Sequence, residues 1–300
     1  MTLTDTRVED VYPTRITGTP AHLPRVHPTV WGPGADGPID AATLAHHETK
    51  GYTVVDGLLS VGEVQTYWQE LVRLSADEEL ARDERVITEA KTGEVRSIFD
   101  VHEISALIAE LVRDPRVLDR ARQLLGSEVY VHQSRIDYMP GFRGTGFYWH
   151  SDFETWHAED GMPAPRAVSC WIALTDNHPF NGGLMIMPGS HRTFVQCTGE
   201  TPDGNHQSSP KDQRVVVPSE DDITKLAAEY GIDQFTGQAG SALWVDSNTM
   251  HGSGNNITPY PRSNIFLVFN SVENALQEPF AASAPRPAFI AGRDSTPITR

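Results

Sequence analysis

Val129-Tyr-Val-His-Gln-Ser-Arg-Ile-Asp-Tyr138 is the stretch at which the chain changes texture. Its residues alternate, so that positions i and i+2 share a face, which is the period of a strand. Upstream the period is helical: Val64, Tyr67, Trp68, Leu71 and Leu74 recur on one face of a helix capped by Ser60. Asp40 as N-cap and Gly51 as stop bound a shorter helix, and a short strand spans 51–57. Two further helices cover roughly 103–113 and 115–125, the second closed by Gly126. Downstream, alternating runs return at 167–174, 183–188, 214–217, 241–246 and 263–270, separated by turn-rich linkers and interrupted by one helix over about 221–230. Strands in this number, without helices alternating between them, predict a mainly β fold with surrounding helices, a double-sheet jelly roll of the double-stranded β-helix or cupin-like kind.

The expected organisation is an irregular N-terminal arm over 1–38, wrapped on the surface or partly disordered, because six prolines and no apolar period fill it. One domain follows over 39–300: a helical part to 126, a jelly-roll core over 127–275 and a Pro-rich tail over 276–300 that covers the barrel mouth or the back of a sheet. The charged segment 77–96 reads as mobile. With 24 Lys plus Arg against 40 Asp plus Glu, a net charge of −16 argues against nucleic-acid and anionic-membrane partners. Two cysteines, Cys170 and Cys197, are too few for a disulfide framework and form no C-x-x-C site, so a reducing cytoplasm is the expected compartment. The first ten residues lack the apolar core of a signal peptide, and no apolar run approaches a membrane span.

The chemistry concentrates in Phe147-Tyr-Trp-His-Ser-Asp-Phe-Glu-Thr-Trp156. If His150 and Asp152 lie on one strand face, an imidazole nitrogen and a carboxylate oxygen converge on a point. His251, 99 residues after Asp152 and just past the 241–246 strand, supplies a third ligand. Two His and one carboxylate leave three octahedral positions open, the arrangement of non-haem Fe(II) oxygenases. His157, His178, His191 and His206 compete for that role, but none follows a strand at a workable distance from an anion-gripping arginine. Arg262, eleven residues past His251 and at the head of an apolar strand, can grip a carboxylate bidentately. Pointing inward, its charge must be paired, and a dianionic co-substrate provides the pairing. Ser253 and Arg135 are secondary contacts at even odds with structural roles, and Phe147, with its aromatic neighbours, suits a dry cavity. His46, His47 and His102 read as exposed or core-satisfied residues. The run 181–191 reads as scaffold, with His191 fixing a turn.

Together these residues resemble the phytanoyl-CoA dioxygenase superfamily and, within it, its ectoine hydroxylases. The resemblance runs from Tyr12-Pro-Thr-Arg15 to Arg293-Asp294 and is most specific at 131–135, 147–163, 181–191, 251–253, 261–264 and 269–274. It implies a jelly-roll core, Fe(II) on His150, Asp152 and His251, and 2-oxoglutarate on Arg262 helped by Ser253, Arg135 and Phe147. It further implies a small zwitterionic substrate held by Gln133, Trp156, Phe266 and Arg286, with O2 as co-substrate. Trp156 suits a cationic or amidinium ring, so 5-hydroxylation of ectoine is the expected reaction. A carboxylate at Asp152 occupies the position that related halogenases leave open for chloride, which favours hydroxylation. The sequence departs from the ectoine hydroxylase pattern at four places: Met139 for Lys, Asp137 for Asn, Trp171 for Ser and Val245 for Phe. These bear on substrate identity and keep a paralogue acting on 2,4-diaminobutyrate, proline or a related amino acid in view. A cupin-type metal hydrolase or isomerase, or a silent metal-binding module, is the reading from a different class. A homodimer is left open, as is a lid formed by the loop around 195–215.

Overall fold

The helices begin and end where their capping chemistry places them. The computed structural model of the chain describes residues 9–32, 34, 36–88, 93–205 and 216–300. After a short strand β1 (His22–Pro24), Asp40 accepts a hydrogen bond from the Thr43 amide and starts α1 (Ala41–Lys50), which stops at Gly51 in the left-handed region. Strand β2 (Tyr52–Val55) leads to α2 (Val61–Ser75), opened by a reciprocal Ser60–Glu63 capping box. Strands β3 (Val86–Thr88) and β4 (Val95–Phe99) precede α3 (Val101–Ile104), α4 (Ala106–Arg113) and α5 (Pro115–Leu125). Then come β5 (Val129–Met139), β6 (Phe147–His150) and α6 (Asp152–Thr155), which continues as a π-turn over Trp156–Asp160. The remainder is β7 (Ala167–Ala173), β8 (Leu184–Ile186), β9 (Thr193–Val195), α7 (Glu220–Tyr230), β10 (Asp233–Gln234), β11 (Ala242–Asp246), β12 (His251–Ser253) and β13 (Arg262–Ser271).

Among the described residues these strands form a seven-stranded sheet, order β2-β11-β7-β13-β5-β4-β3, and a four-stranded sheet, order β10-β8-β12-β6. All ladders within both are antiparallel. Strand alternation divides the larger sheet between two environments. Cys170, Ile172, Trp244, Ile265, Leu267 and Phe269 point to the helices and share one core with Leu71, Leu74, Ile108, Leu118 and Leu124. Their neighbours Trp171, Leu243, Val245 and Phe266 point the other way, onto Leu184, Ile186 and Phe235 of the smaller sheet's side. The second face is the inner face of the jelly roll, and the cleft opens there.

Three expectations are corrected. Segment 77–96 is not a mobile excursion: β3 lies in it and β4 begins at its end, the two extend the large sheet beyond β5, and Ile87 and Arg96 are buried. The four residues 89–92 lie outside the described set. The arm is not merely wrapped on the surface. β1 pairs with β9, Tyr12 packs against Phe153 and Phe194, and Arg15 is buried in ion pairs with Glu154 and Glu159. The run 214–217 does not continue as a strand in its described part, since Val216 takes a left-handed φ of 56°; residues 206–215, and with them the second half of the lid segment and His206, lie outside the described residues. Among the described residues no helix is long and apolar enough to cross a membrane.

Candidate active site

His150 closes β6, and His251 opens β12, its antiparallel neighbour; the ladder pairs the two residues directly. Pairing opposes their rings at 4.2 Å between centroids. Each Nδ1 donates to a backbone carbonyl two residues back, His150 to Tyr148 at 2.7 Å and His251 to Thr249 at 2.9 Å. A carbonyl can only accept, so both Nε2 atoms are left as lone-pair donors aimed into the cleft, the orientation that ligating histidines take. Burial, and then the neighbouring His251 ring, push the His150 pKa down to about 4, which keeps it neutral.

Asp152 reaches the same point by a different route from the one its spacing suggested. The strand ends at His150, and Ser151 is the N-cap of α6, its hydroxyl accepting from the Glu154 amide; Asp152 therefore stands on the first helical turn. Its Oδ1 is 3.7 Å from His150 Nε2 and 4.0 Å from His251 Nε2. Among the described residues this is the one group of three or more His, Cys, Asp or Glu whose ligand atoms all lie within 4.8 Å of one another. Donors about 2 Å from a shared ion sit about 3 Å apart, so side-chain shifts of less than about 1 Å would complete one face of an octahedron. Two imidazoles with free Nε2 atoms and one carboxylate fit Fe(II).

The turn that carries Asp152 is tied to the turn that leads into β12 and His251. Ser151 Oγ donates to Asn248 Oδ1 at 3.0 Å, and Asn248 Nδ2 donates to the carbonyls of His191 and Thr193. The three competing histidines among the described residues are otherwise engaged. His157 sits on the π-turn with Nδ1 on the Met162 carbonyl and Nε2 on Asp10; His191 holds the Glu48 carbonyl; His178 stacks on Phe180.

All eleven predicted site residues line one cleft, which is open to solvent on one side. At one end Arg262 is buried on β13, and its Nε has no hydrogen-bond partner. Burial lowers its pKa to about 10, opposed by Asp137 and reinforced by Arg96 and Arg135. A charge held there needs an anion. Arg135 stacks on Phe266 at 4.5 Å and lies 3.3 Å from Asp137; Arg96 stacks on Phe147 at 4.5 Å. Ser253 Oγ accepts from the Phe147 amide at 3.1 Å, which leaves its own proton for a ligand.

At the other end stand Gln133, Trp156 and Arg286. Gln133 Nε2 donates to the Ile290 carbonyl at 2.7 Å, which ties the tail to the wall of the cleft. Arg286 comes from that tail, and its guanidinium is gripped by Asp160, a residue that the sequence reading passed over. Of the four departures, Trp171 and Asp137 line the cleft, Met139 lies behind Arg262, and Val245 packs in the apolar cluster of Trp171. Trp171 meets the His251 ring edge-on at 5.0 Å and fills space against Phe266. A large side chain on β7 and a small one on adjacent β11 therefore share one volume.

Comparison with known proteins agrees with this architecture. The chain is 61% identical over 289 residues to the ectoine dioxygenase of Nocardia farcinica, covering 96% of this chain and 95% of that one. It is 56% identical over 299 residues to the ectoine dioxygenase of Streptomyces coelicolor, covering 99% and 100%. The crystal structure of EctD from S. alaskensis with 2-oxoglutarate and 5-hydroxyectoine superposes with a TM-score of 0.87 at 43% identity, covering 96% of each chain. The family model of phytanoyl-CoA dioxygenase matches residues 47–264, a span that holds the clustered His150, Asp152 and His251 and, at its end, Arg262. With its jelly roll, its donor triad and this match all in register, the chain belongs to the phytanoyl-CoA dioxygenase family.

Proposed function

We propose that this cleft hydroxylates ectoine to 5-hydroxyectoine with Fe(II), 2-oxoglutarate and O2, releasing succinate and CO2. The observation that carries the reading is one cleft holding both a two-His, one-carboxylate donor set and a buried guanidinium that wants an anion. A hydrolytic metal site has no use for the second. Relatives named ectoine dioxygenases, at more than half identity over nearly the whole chain, support the substrate.

His150, Asp152 and His251 would hold Fe(II), and the metal when bound supplies O2 activation and the oxidising power of the reaction. The chain's own residues bind, orient and keep water out. Arg262 takes the far carboxylate of 2-oxoglutarate, with Ser253 Oγ and Arg135 as further donors. Phe147, Trp156, Trp171 and Phe266 wall the cleft with apolar surface, which shields a reactive site. Arg286 and Gln133 meet the ectoine carboxylate, and Trp156 and Phe266 pack on the amidine ring. We further read the protein as a cytoplasmic enzyme that engages neither nucleic acid nor membrane: its two cysteines are free and buried, and its charge is −16.

The test is aerobic turnover of Fe(II)-loaded protein with 2-oxoglutarate and ectoine, quantifying succinate and 5-hydroxyectoine together. Matched amounts are expected. Succinate without hydroxyectoine overturns the substrate, and no succinate with metal confirmed bound overturns the oxygenase reading.

A further inference from the structure

The substrate end of the cleft is assembled from two segments far apart in sequence, and one carboxylate joins them. Trp156 and Asp160 are the first and last residues of the π-turn, the kind of insertion that recurs at functional sites. Arg286 arrives from the tail, 126 residues later. Asp160 Oδ1 accepts from Arg286 Nε at 2.7 Å and Oδ2 from Nη2 at 2.5 Å, a two-point grip that fixes the plane of the guanidinium. The carboxylate is fully buried and Arg286 nearly so, which makes the pair strongly interdependent. Backbone contacts dock the same two segments together. Arg293 Nη2 donates to the Asp160 carbonyl, and Gln277 N and Ala281 N donate to the carbonyls of Gly161 and Ala158. At Gly161, with φ of 80°, a Cβ would stand 2.2 Å from the Gln277 carbonyl oxygen, so only glycine permits the approach. On its other side Asp160 faces His132, whose Nε2 is 3.4 Å from Oδ2 and whose ring meets the edge of Trp156 at 4.9 Å.

With Nε and one Nη2 proton committed to Asp160, Arg286 presents its remaining N–H edge to the cleft it lines. The pair is neutral as a unit. A ligand carboxylate meeting that edge gains directed hydrogen bonds but no excess positive charge, so the ligand must bring its own cation. We propose that Asp160 is the positioning residue for Arg286, and that the neutral Asp160–Arg286 pair matches this end of the cleft to a zwitterion in preference to a simple anion. The inference rests on the proposed contact of Arg286 with substrate.

A double-mutant cycle on the Fe(II)-loaded full chain tests it, with Asp160→Asn, Arg286→Gln and both together. In Asp160→Asn, the KM for ectoine is expected to rise about tenfold, while the KM for 2-oxoglutarate stays within about twofold. In the Arg286→Gln background, the same change should add almost nothing, because Asp160 then has no guanidinium to aim. Cyclohexanecarboxylate, an anion without an internal cation, should inhibit Asp160→Asn more strongly relative to ectoine than it inhibits wild type. An unchanged ectoine KM, an equal rise in both backgrounds or an unchanged selectivity ratio overturns the proposal. If Asp160→Asn does not fold, Asp160→Glu keeps the charge, displaces the grip and enters the same cycle. A wild type that releases succinate with a different zwitterion overturns the ectoine reading alone, and the cycle then reads out with that substrate.

Discussion

Arg262 carries a charge that the folded protein does not itself neutralise by direct contact. Its Nε lacks a partner, Arg96 and Arg135 crowd it with like charge, and Asp137 is already 3.3 Å from Arg135. Such a residue lowers the stability of the free protein and stabilises the liganded one, the usual exchange of stability for function at a binding site. Replacement by Met should therefore raise the melting temperature of the free protein while abolishing the upward shift that 2-oxoglutarate causes in wild type. At a hundredfold excess over Kd that shift corresponds to about 2.7 kcal/mol. Thermal scans with and without 2-oxoglutarate check both halves, and a retained ligand shift in Arg262→Met would remove Arg262 from the co-substrate site. Arg262 was legible because a charged residue heads an apolar strand at a short distance from a ligand histidine. Asp160 was not, because its partner Arg286 sits in a tail without periodicity, and no local pattern connects the two.

Among the elements, α6 shows where sequence patterns mislead. H-x-D suggests alternation on a strand, yet Ser151-Asp-Phe-Glu154 also has the spacing of a helix start, and the helix prevails because Ser151 Oγ caps the Glu154 amide. The Glu154 side chain is drawn off to Thr14 and Arg15, so the reciprocal half of a capping box is missing and the cue is weaker. Asn248 compensates by bonding Ser151 and two carbonyls at once. Asn248→Ala removes all three bonds and leaves buried groups unpaired. It should weaken metal affinity about tenfold or more through Asp152, with a smaller effect on stability. Co(II) titration, followed by its visible absorption and compared with urea unfolding, separates the two. Equal Co(II) affinity in the variant would show that α6 holds its place without Asn248. The helices α1, α2 and α5, by contrast, were legible to within a residue or two, since Asp40, Ser60, Gly51 and Gly126 all cap as their residue types prescribe. Strand β4 was overlooked because the charges around it outweighed five residues of strand pattern.

At the scale of the molecule, buried polar clusters tie the arm to the body. Arg25 donates to Asp246 at 2.7 Å, and Asp246 influences His47, which burial drives down to a pKa of about 4, with His191, Arg25 and His46 adding to the fall. The unfolded chain protonates His47 near pH 6.5, and the folded one resists until about pH 4. The unfolded state thus binds the extra proton in that window, and stability is full above about pH 6.5 and declines as the pH falls towards 4. The loss at pH 5 from this residue is about 2 kcal/mol, and His47→Gln should flatten the dependence. Urea unfolding of both proteins at pH 7.5 and pH 5 measures it; parallel curves would assign the acid sensitivity elsewhere.

The arm has one more consequence, for the order in which the chain can be completed during translation. Arg15 is made well before Glu154 and Glu159, its partners 139 and 144 residues further on, and His22 waits 200 residues for Asp222. A nascent chain therefore exports its arm long before there is anything to receive it, and buried carboxylates at Glu154 and Glu159 appear before the arm swings back to meet them. Pairings this remote are slow to close and leave apolar edges open meanwhile. The arm is then the clasp of the molecule, early to leave the ribosome and late to fasten.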